Sequence, residues 1–385
     1  MSDKDKISKT EMQFENIVQL FEQTQSELRN QSAKSIDIAL VVRNWLFGWY
    51  IEEFEKSGRE RKELYGKQLI KKLSEELTKQ LGKGFSKRSL EQFWRFYIDY
   101  MKIAQTVSAQ SGIMPIIRDS NNQIQSTPLK IELYNRSTLE TLFPKLTAYF
   151  KLGWSHYVTL LTIKSSEERN FYEIEAIDNS WSIRELKRQI ASSLYERLAL
   201  SRNKEKVKEL SEKGQILSSA DDIIKSPYIL EFLNLPEHPH YSEHEFEIAI
   251  IDKIEHFLLE LGKGFLFEAR QKRFTFDDDH FYVDLVFYNR LLRCYVLIDL
   301  KRDKLTHQDI GQMQMYVNYF DRFVKKDYES PTIGILLCHR KSDALVELTL
   351  PKEVNIHASE YKLYLPSKEE FKKQLEEVQK ELKTD

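Results

Sequence analysis

Asp299 and Lys301 close an apolar run, Cys294 to Ile298, and Asp284 sits inside a second run, Phe281 to Tyr288. Both runs read as buried β-strand. Charges are costly there, because desolvating each one costs several kcal/mol unless a partner offsets it. A divalent cation and a phosphate would be such partners. Residues two apart on a strand share a face, so Asp299 and Lys301 project together while Ile298 and Leu300 pack on the other side. Asp284 joins them if the hairpin register aligns the two strands. Two acids and a lysine on one face can hold Mg²⁺ or Mn²⁺ through oxygen ligands while the ammonium orients a water or a phosphate oxygen. That chemistry suits hydrolysis of a phosphodiester bond. The competing reading is a partly exposed ion pair between Lys301 and one acid at a sheet edge.

The elements that must position these groups follow from the apolar period. A helix expected over residues 243–261 buries Phe246, Ala249, Ile250, Ile254, Phe257, Leu258 and Leu261, and stops at Gly262-Lys263-Gly264. It offers a third acid. Glu247 ranks first because it aligns with Ile251, Ile254 and Leu258; Glu255 is second and Glu260 third, and solvated helix-surface glutamates are the alternative. Strands are expected over 265–276, 281–288 and 292–300, then a helix over 307–323, a strand over 332–338, a short helix over 342–350 and a strand over 361–365. The tail from Lys368 reads as an amphipathic helix. On the 307–323 helix, Gln312 and Tyr316 lie one turn apart and could touch a metal-bound water or a nucleic-acid backbone; Met313, Val317 and Phe320 form its packed stripe.

The first half reads as helix: 11–30, 35–55 and 64–81, the last ending at Gly82-Lys83-Gly84. Ser89, with Gln92 three residues on, is expected to cap the next helix. Two helices about a short glycine turn outline a helix-turn-helix, with Lys83, Lys87, Arg88 and Arg95 along it; an ordinary helical hairpin fits the pattern better. Residues 106–137 are polar and broken by Gly112, Pro115 and Pro128, which indicates a loop or insertion. A long cationic helix is expected from Trp181 to about Leu200. Pro227, Pro236 and Pro239 mark 226–240 as a linker between a region 1–225 and a domain 241–385.

The chain has 385 residues, 41% of them apolar, enough for two or three cores. Its 58 basic and 60 acidic residues nearly cancel to a net charge of -2, which excludes a strongly basic protein but not a local basic face. Arg270, Lys272, Arg273, Arg302 and Lys304 could form such a face near the acids. Cys294 and Cys338 lie in apolar runs without ligand spacing and suggest a reducing compartment. The polar N-terminus and the lack of a long apolar stretch point to the cytoplasm, with no membrane partner. The nine histidines show no H-E-x-x-H, and neither a Walker loop nor G-x-S-x-G occurs.

A strand opening at Gly264-Phe265, then Asp284, Asp299-x-Lys301 and Gln312-x-x-x-Tyr316, resembles the PD-(D/E)xK nuclease superfamily, with Val283 rather than proline before Asp284. Phe257 to Phe265, Asp284 to Arg290, Tyr65-Gly66, Leu81 to Ser86, Trp154 to His156, Phe171-Tyr172 and Trp181 to Leu186 resemble the bacterial YhcG family across nearly the whole chain. This resemblance implies an α+β protein: a mainly helical, winged-helix-like region that binds DNA or a partner, then a restriction-endonuclease-like α/β domain with a central mixed sheet. It implies Asp284 and Asp299 as metal ligands, Lys301 as catalytic, and Gln312 and Tyr316 as auxiliary; Glu247 is the expected further ligand. The expected cofactor is Mg²⁺ or Mn²⁺, the partner DNA, and the assembly a homo-oligomer such as a dimer. The alternative is a non-catalytic DNA-binding or scaffold subunit on the same fold.

Overall fold

The computed structural model describes residues 14–29, 36–57, 67–101, 117–118, 124–125, 146–200, 204–225, 227–236, 241–276, 278–341 and 355–367, with a few single positions beyond 341. The chain divides into two compact units, Met1–Arg169 and Asn170–Asp385. The expected 342–350 helix, the tail after Lys368 and most of 106–137 fall largely outside the described residues.

In the first unit the helices are α1 (Phe14–Arg29), α2 (Ile36–Ser57), α3 (Lys67–Leu81), α4 (Lys87–Asp99) and α5 (Trp154–Leu160); α6 (Ser166–Asp178) spans the division. Apolar stripes fill its core, with Phe21 stacked on Phe47 at 4.0 Å. Gly48 lets α2 and α4 touch: a Cβ there would lie 2.0 Å from the Phe93 carbonyl oxygen. Ser86, not Ser89, caps α4, accepting from the Ser89 N–H at 3.2 Å. Two short strands follow, β1 (Ile117–Arg118) and β2 (Ile124–Gln125), paired antiparallel.

The second unit carries α7 (Ile183–Ala191), α8 (Leu194–Leu200), α9 (Lys204–Lys213), β3 (Tyr228–Ile229), α10 (Glu243–Asp252) and α11 (Ile254–Leu261). Then come β4 (Phe265–Phe276), β5 (Asp279–Asn289), β6 (Cys294–Lys304), α12 (His307–Tyr319), β7 (Ile333–Arg340) and β8 (Ile356–Lys362). The six strands form one mixed sheet in the order β3-β8-β7-β6-β5-β4, antiparallel from β4 to β6 and parallel from β6 to β3. One core holds Phe246, Ile250, Phe257, Ile298 and Leu300; the other holds Leu297, Ile310, Met313, Tyr316 and Leu336. Helices on both faces explain why β6 and β7 are almost continuously apolar. The fold is the mixed α+β arrangement expected from the sequence.

Several boundaries differ from expectation. The single helix over 243–261 is two, broken at Lys253, whose N–H turns back to the Ile250 carbonyl. The helix from Trp181 is also two, because Ser193 takes a left-handed φ of 51° and Arg197 Nε donates to the Ser192 carbonyl at 2.9 Å. The last strand starts at Ile356 rather than Tyr361. Within the segment read as a linker, Tyr228 and Ile229 pair in parallel with Tyr361 and Lys362. The division between the two compact units falls at Arg169, ahead of residues 226–240.

Candidate active site

Asp284 sits where β5 and β6 part. Their ladder ends at Leu285 opposite Ile298, and beyond it the Leu300 N–H donates to Asp284 Oδ2 at 2.8 Å in place of a strand carbonyl. Asp299 and Lys301 project together, as their two-residue spacing requires, with Lys301 Nζ 2.8 Å from Asp299 Oδ2. Ile298 and Leu300 fill the opposite core. Asp299 is 2% exposed. Burial pushes its carboxyl up to about 7, the nearby Asp284 charge adds to this, and Lys301 only partly counters both. On Lys301, burial pulls the ammonium down, but Asp299, Glu243 and Asp309 together outweigh it and the net shift is upward, so Lys301 stays charged.

Glu247 is the helix glutamate that reaches this place. It is 3% exposed on α10, and Gln271 Nε2 on β4 donates both to its Oε2 at 2.7 Å and to Asp284 Oδ1 at 3.0 Å. The other candidates lie elsewhere: Glu255 is exposed, and Glu260 is wholly buried against Arg197. Glu247 Oε1 is 3.1 Å from Arg270 Nε. Neither that oxygen nor Asp299 Oδ2 receives a hydrogen bond of acceptable geometry, although each has a cation beside it. Among the described residues, no three His, Cys, Asp or Glu side chains already stand together as a metal cage.

α12 supplies the far wall. Gln312 Nε2 donates to the Tyr316 hydroxyl at 2.5 Å, so the two residues expected one turn apart on one face bond to each other. Burial, with Asp299 next, raises the Tyr316 phenol to about 12. Asp309 uses Oδ2 to accept from the Thr306 N–H and hydroxyl at 2.8 and 2.7 Å, while Oδ1 is 3.7 Å from Lys301 Nζ. Of the expected basic face, Arg270 is engaged by Glu247 and Arg302 by Asp303 at 2.8 Å. Lys272, Arg273 and Lys304 are exposed.

Residues 221–376 match the YhcG PDDEXK nuclease domain, and residues 17–197 match the DUF1016 N-terminal domain. The chain is 36% identical over 354 residues to YhcG of Escherichia coli (strain K12), covering 91% of this chain and 90% of that protein. It belongs to the YhcG family. Membership makes it a nuclease, a hydrolase of the PDDEXK class. A repair endonuclease from Pyrococcus abyssi is similar at 20% identity over 33% of this chain and 49% of that one, with a TM-score of 0.23. No helix among the described residues is long and apolar enough to cross a membrane.

Two residues of the candidate site escaped the sequence reading. Gln271 bridges two of the acids from a backbone with φ 44°, and no motif marks a glutamine in an exposed strand. Asp309 did leave a trace, since Thr306-x-x-Asp309 ahead of an apolar helix is a capping-box pattern.

Proposed function

We propose that this chain is a Mg²⁺- or Mn²⁺-dependent DNA nuclease in which Asp284, Asp299 and Glu247 hold the cation. The observation that carries this reading is that Asp299 and Glu247 are buried carboxylates whose facing oxygens meet only the cations Lys301 and Arg270, with Gln271 joining Glu247 to a third acid, Asp284. Hard carboxylate oxygens are the donor set that these cations prefer. When bound, the cation supplies charge neutralisation at the phosphate and lowers the pKa of a coordinated water.

The chain's own residues do the rest. Lys301 keeps a positive charge 2.8 Å from Asp299 and orients the attacking water or a phosphate oxygen. Asp309 steadies that ammonium from α12, and Gln271 holds Glu247 and Asp284 in one orientation. The wholly buried Tyr316 hydroxyl holds the Gln312 amide, whose oxygen is left to face the substrate backbone.

The helices of the first unit serve as a winged-helix-like DNA- or partner-binding region. The order α3, turn, α4 and then the antiparallel pair β1–β2 supports this. The protein acts in the cytoplasm, in restriction, repair or recombination, and as a dimer whose two sites serve two strands. Purified protein should cut DNA with Mg²⁺ or Mn²⁺, lose activity in chelator, and lose it again in Asp284→Ala with binding retained. Cleavage that persists in chelator would overturn the metal reading. Binding without cleavage under every cation and DNA structure would favour a non-catalytic scaffold.

A further inference from the structure

We infer that the outer half of the β4–β5 hairpin is a track for one unpaired nucleic-acid strand leading away from Asp284. This rests on the nuclease reading above and adds the form of the substrate. The β4–β5 ladder runs on to Phe276 opposite Asp279, whereas the β5–β6 ladder stops at Leu285. Residues 271–276 and 279–284 therefore continue beyond the β5–β6 pairing as a two-stranded arm rooted at the candidate site.

The two faces of the arm are different in kind. On the inner face Phe274, Phe281 and Val283 pack on α12, with Phe274 stacked 4.1 Å from Tyr319 and edge-on to Tyr316 at 5.5 Å. This packing fixes the direction of the outer face. Directly opposed residues on antiparallel strands share a face, and the outer face is made of three successive rows: Gln271 with Asp284, Arg273 with Tyr282, and Thr275 with His280. Arg273 Nη2 lies 3.0 Å from His280 Nε2, and Thr275 Oγ1 lies 3.0 Å from His280 Nδ1, which ties the rows together.

Tyr282 is 44% exposed in the middle of this polar stripe. An open aromatic beside a guanidinium, one row from a nuclease carboxylate, is what stacks an unpaired base and holds the adjoining phosphate. A duplex interior hides its base faces, so the platform selects an unpaired strand or overhang. The tip is acidic, with Asp278 and Asp279, and repels phosphate, so the track ends at the Thr275–His280 row. Unlike Arg270 and Arg302, Arg273 has no carboxylate beside it among the described ion pairs.

The test is anisotropy of a fluorescent single-stranded oligodeoxynucleotide and of a blunt duplex with the full chain in chelator, with cleavage assayed in parallel. Tyr282→Ala should weaken single-strand binding roughly 5- to 100-fold, while Tyr282→Phe keeps it. Arg273→Ala should weaken it and lower the salt slope by about one. Arg290→Ala, at the β5–β6 turn, should bind as wild type does. If wild type cuts DNA while Tyr282→Ala binds the single strand equally well, the track is overturned and the nuclease reading stands. If wild type neither binds nor cuts any DNA, the nuclease reading falls and the track falls with it.

Discussion

Arg197 donates from Nη1 to Glu260 Oε1 at 2.5 Å, and both side chains are wholly buried. Arg188 stands 3.4 Å from the other carboxylate oxygen, the Ile229 N–H donates to Oε1 at 3.0 Å, and Lys225 Nζ bonds the Glu260 carbonyl. One acid thus ties α7, α8, β3 and α11 together. Removing it leaves the Arg197 guanidinium in the core without a carboxylate, whereas Arg188 keeps Glu231 and Lys225 keeps the backbone carbonyl; a broken buried pair costs about 3–5 kcal/mol. Glu260→Ala should lower stability by that amount in urea denaturation and leave Mn²⁺ binding, measured by calorimetry on the folded protein, unchanged. A fall in cation affinity with no loss of stability would return Glu260 to the candidate ligands.

The same cluster gives the protein a defined pH response. Burial pushes Glu260 up, but Arg197, Lys225 and Arg188 together outweigh it and hold it at about 2. A carboxylate held below its unfolded value stabilises fully above about pH 4, and that stability drains away as the pH falls toward about 2. Lys225 acts with the same sign in an alkaline window. Burial lowers it from 10.5 to about 8, so between these values the unfolded chain binds the extra proton and stability rises with pH. The stability gap between wild type and Glu260→Gln should narrow as the pH falls from about 5 to about 2; a constant gap would disprove the linkage.

The site was legible wherever a residue broke the pattern of its own element. Asp284, Asp299 and Lys301 stood out because apolar strands do not otherwise carry charge, and Glu247 because it shared a helix stripe with packed residues. Gln271 has no such contrast: its neighbours on β4 are polar and exposed, and its meaning comes from register and a left-handed backbone. Ser193 breaks a strongly helical pattern because Arg197 reaches back five residues to the Ser192 carbonyl and hydroxyl and secures the turn. β3 hid among prolines because a two-residue strand has no period to read. Local contrast reports what each residue costs where it stands, whereas bridging roles depend on which strands meet.

Gln271 should behave as a positioning residue. Loss of its amide leaves Glu247 and Asp284 without the donor that orients both, and residues supporting metal ligands typically account for about 10- to 100-fold in affinity or activity. Gln271→Ala should lose cleavage in that range, with a raised Mn²⁺ requirement. Gln271→Gly, which relieves the φ of 44° but also lacks the amide, should lose as much activity while matching or exceeding Gln271→Ala in stability. Full activity in both variants would remove Gln271 from the site.

Gly334 on β7 controls how closely α12 approaches the sheet. A Cβ there would lie 2.7 Å from Met313 Sδ and 3.0 Å from Val317 Cγ2, both in the packed core under α12. Overpacking of this kind costs about 1–3 kcal/mol. Because α12 also carries Asp309, Gln312 and Tyr316, Gly334→Ala should lower both melting temperature and cleavage, and Met313→Ala in the same chain should restore part of the cleavage. If Gly334→Ala alone leaves activity unchanged, α12 placement does not limit the reaction.

Lys301 separates a charge requirement from a geometric one. Its ammonium is a compact donor held between Asp299 at 2.8 Å and Asp309 at 3.7 Å with 15% of the side chain exposed, a space a forked guanidinium does not match. Lys301→Ala should reduce cleavage by about 10²- to 10³-fold, the loss expected when one preorganised donor to developing charge is deleted. Lys301→Arg keeps the charge but should recover only a small part of that loss, while DNA binding in chelator stays near wild type in both. Full recovery by arginine would mean that Lys301 acts through its charge alone and that its fit between the two acids is incidental.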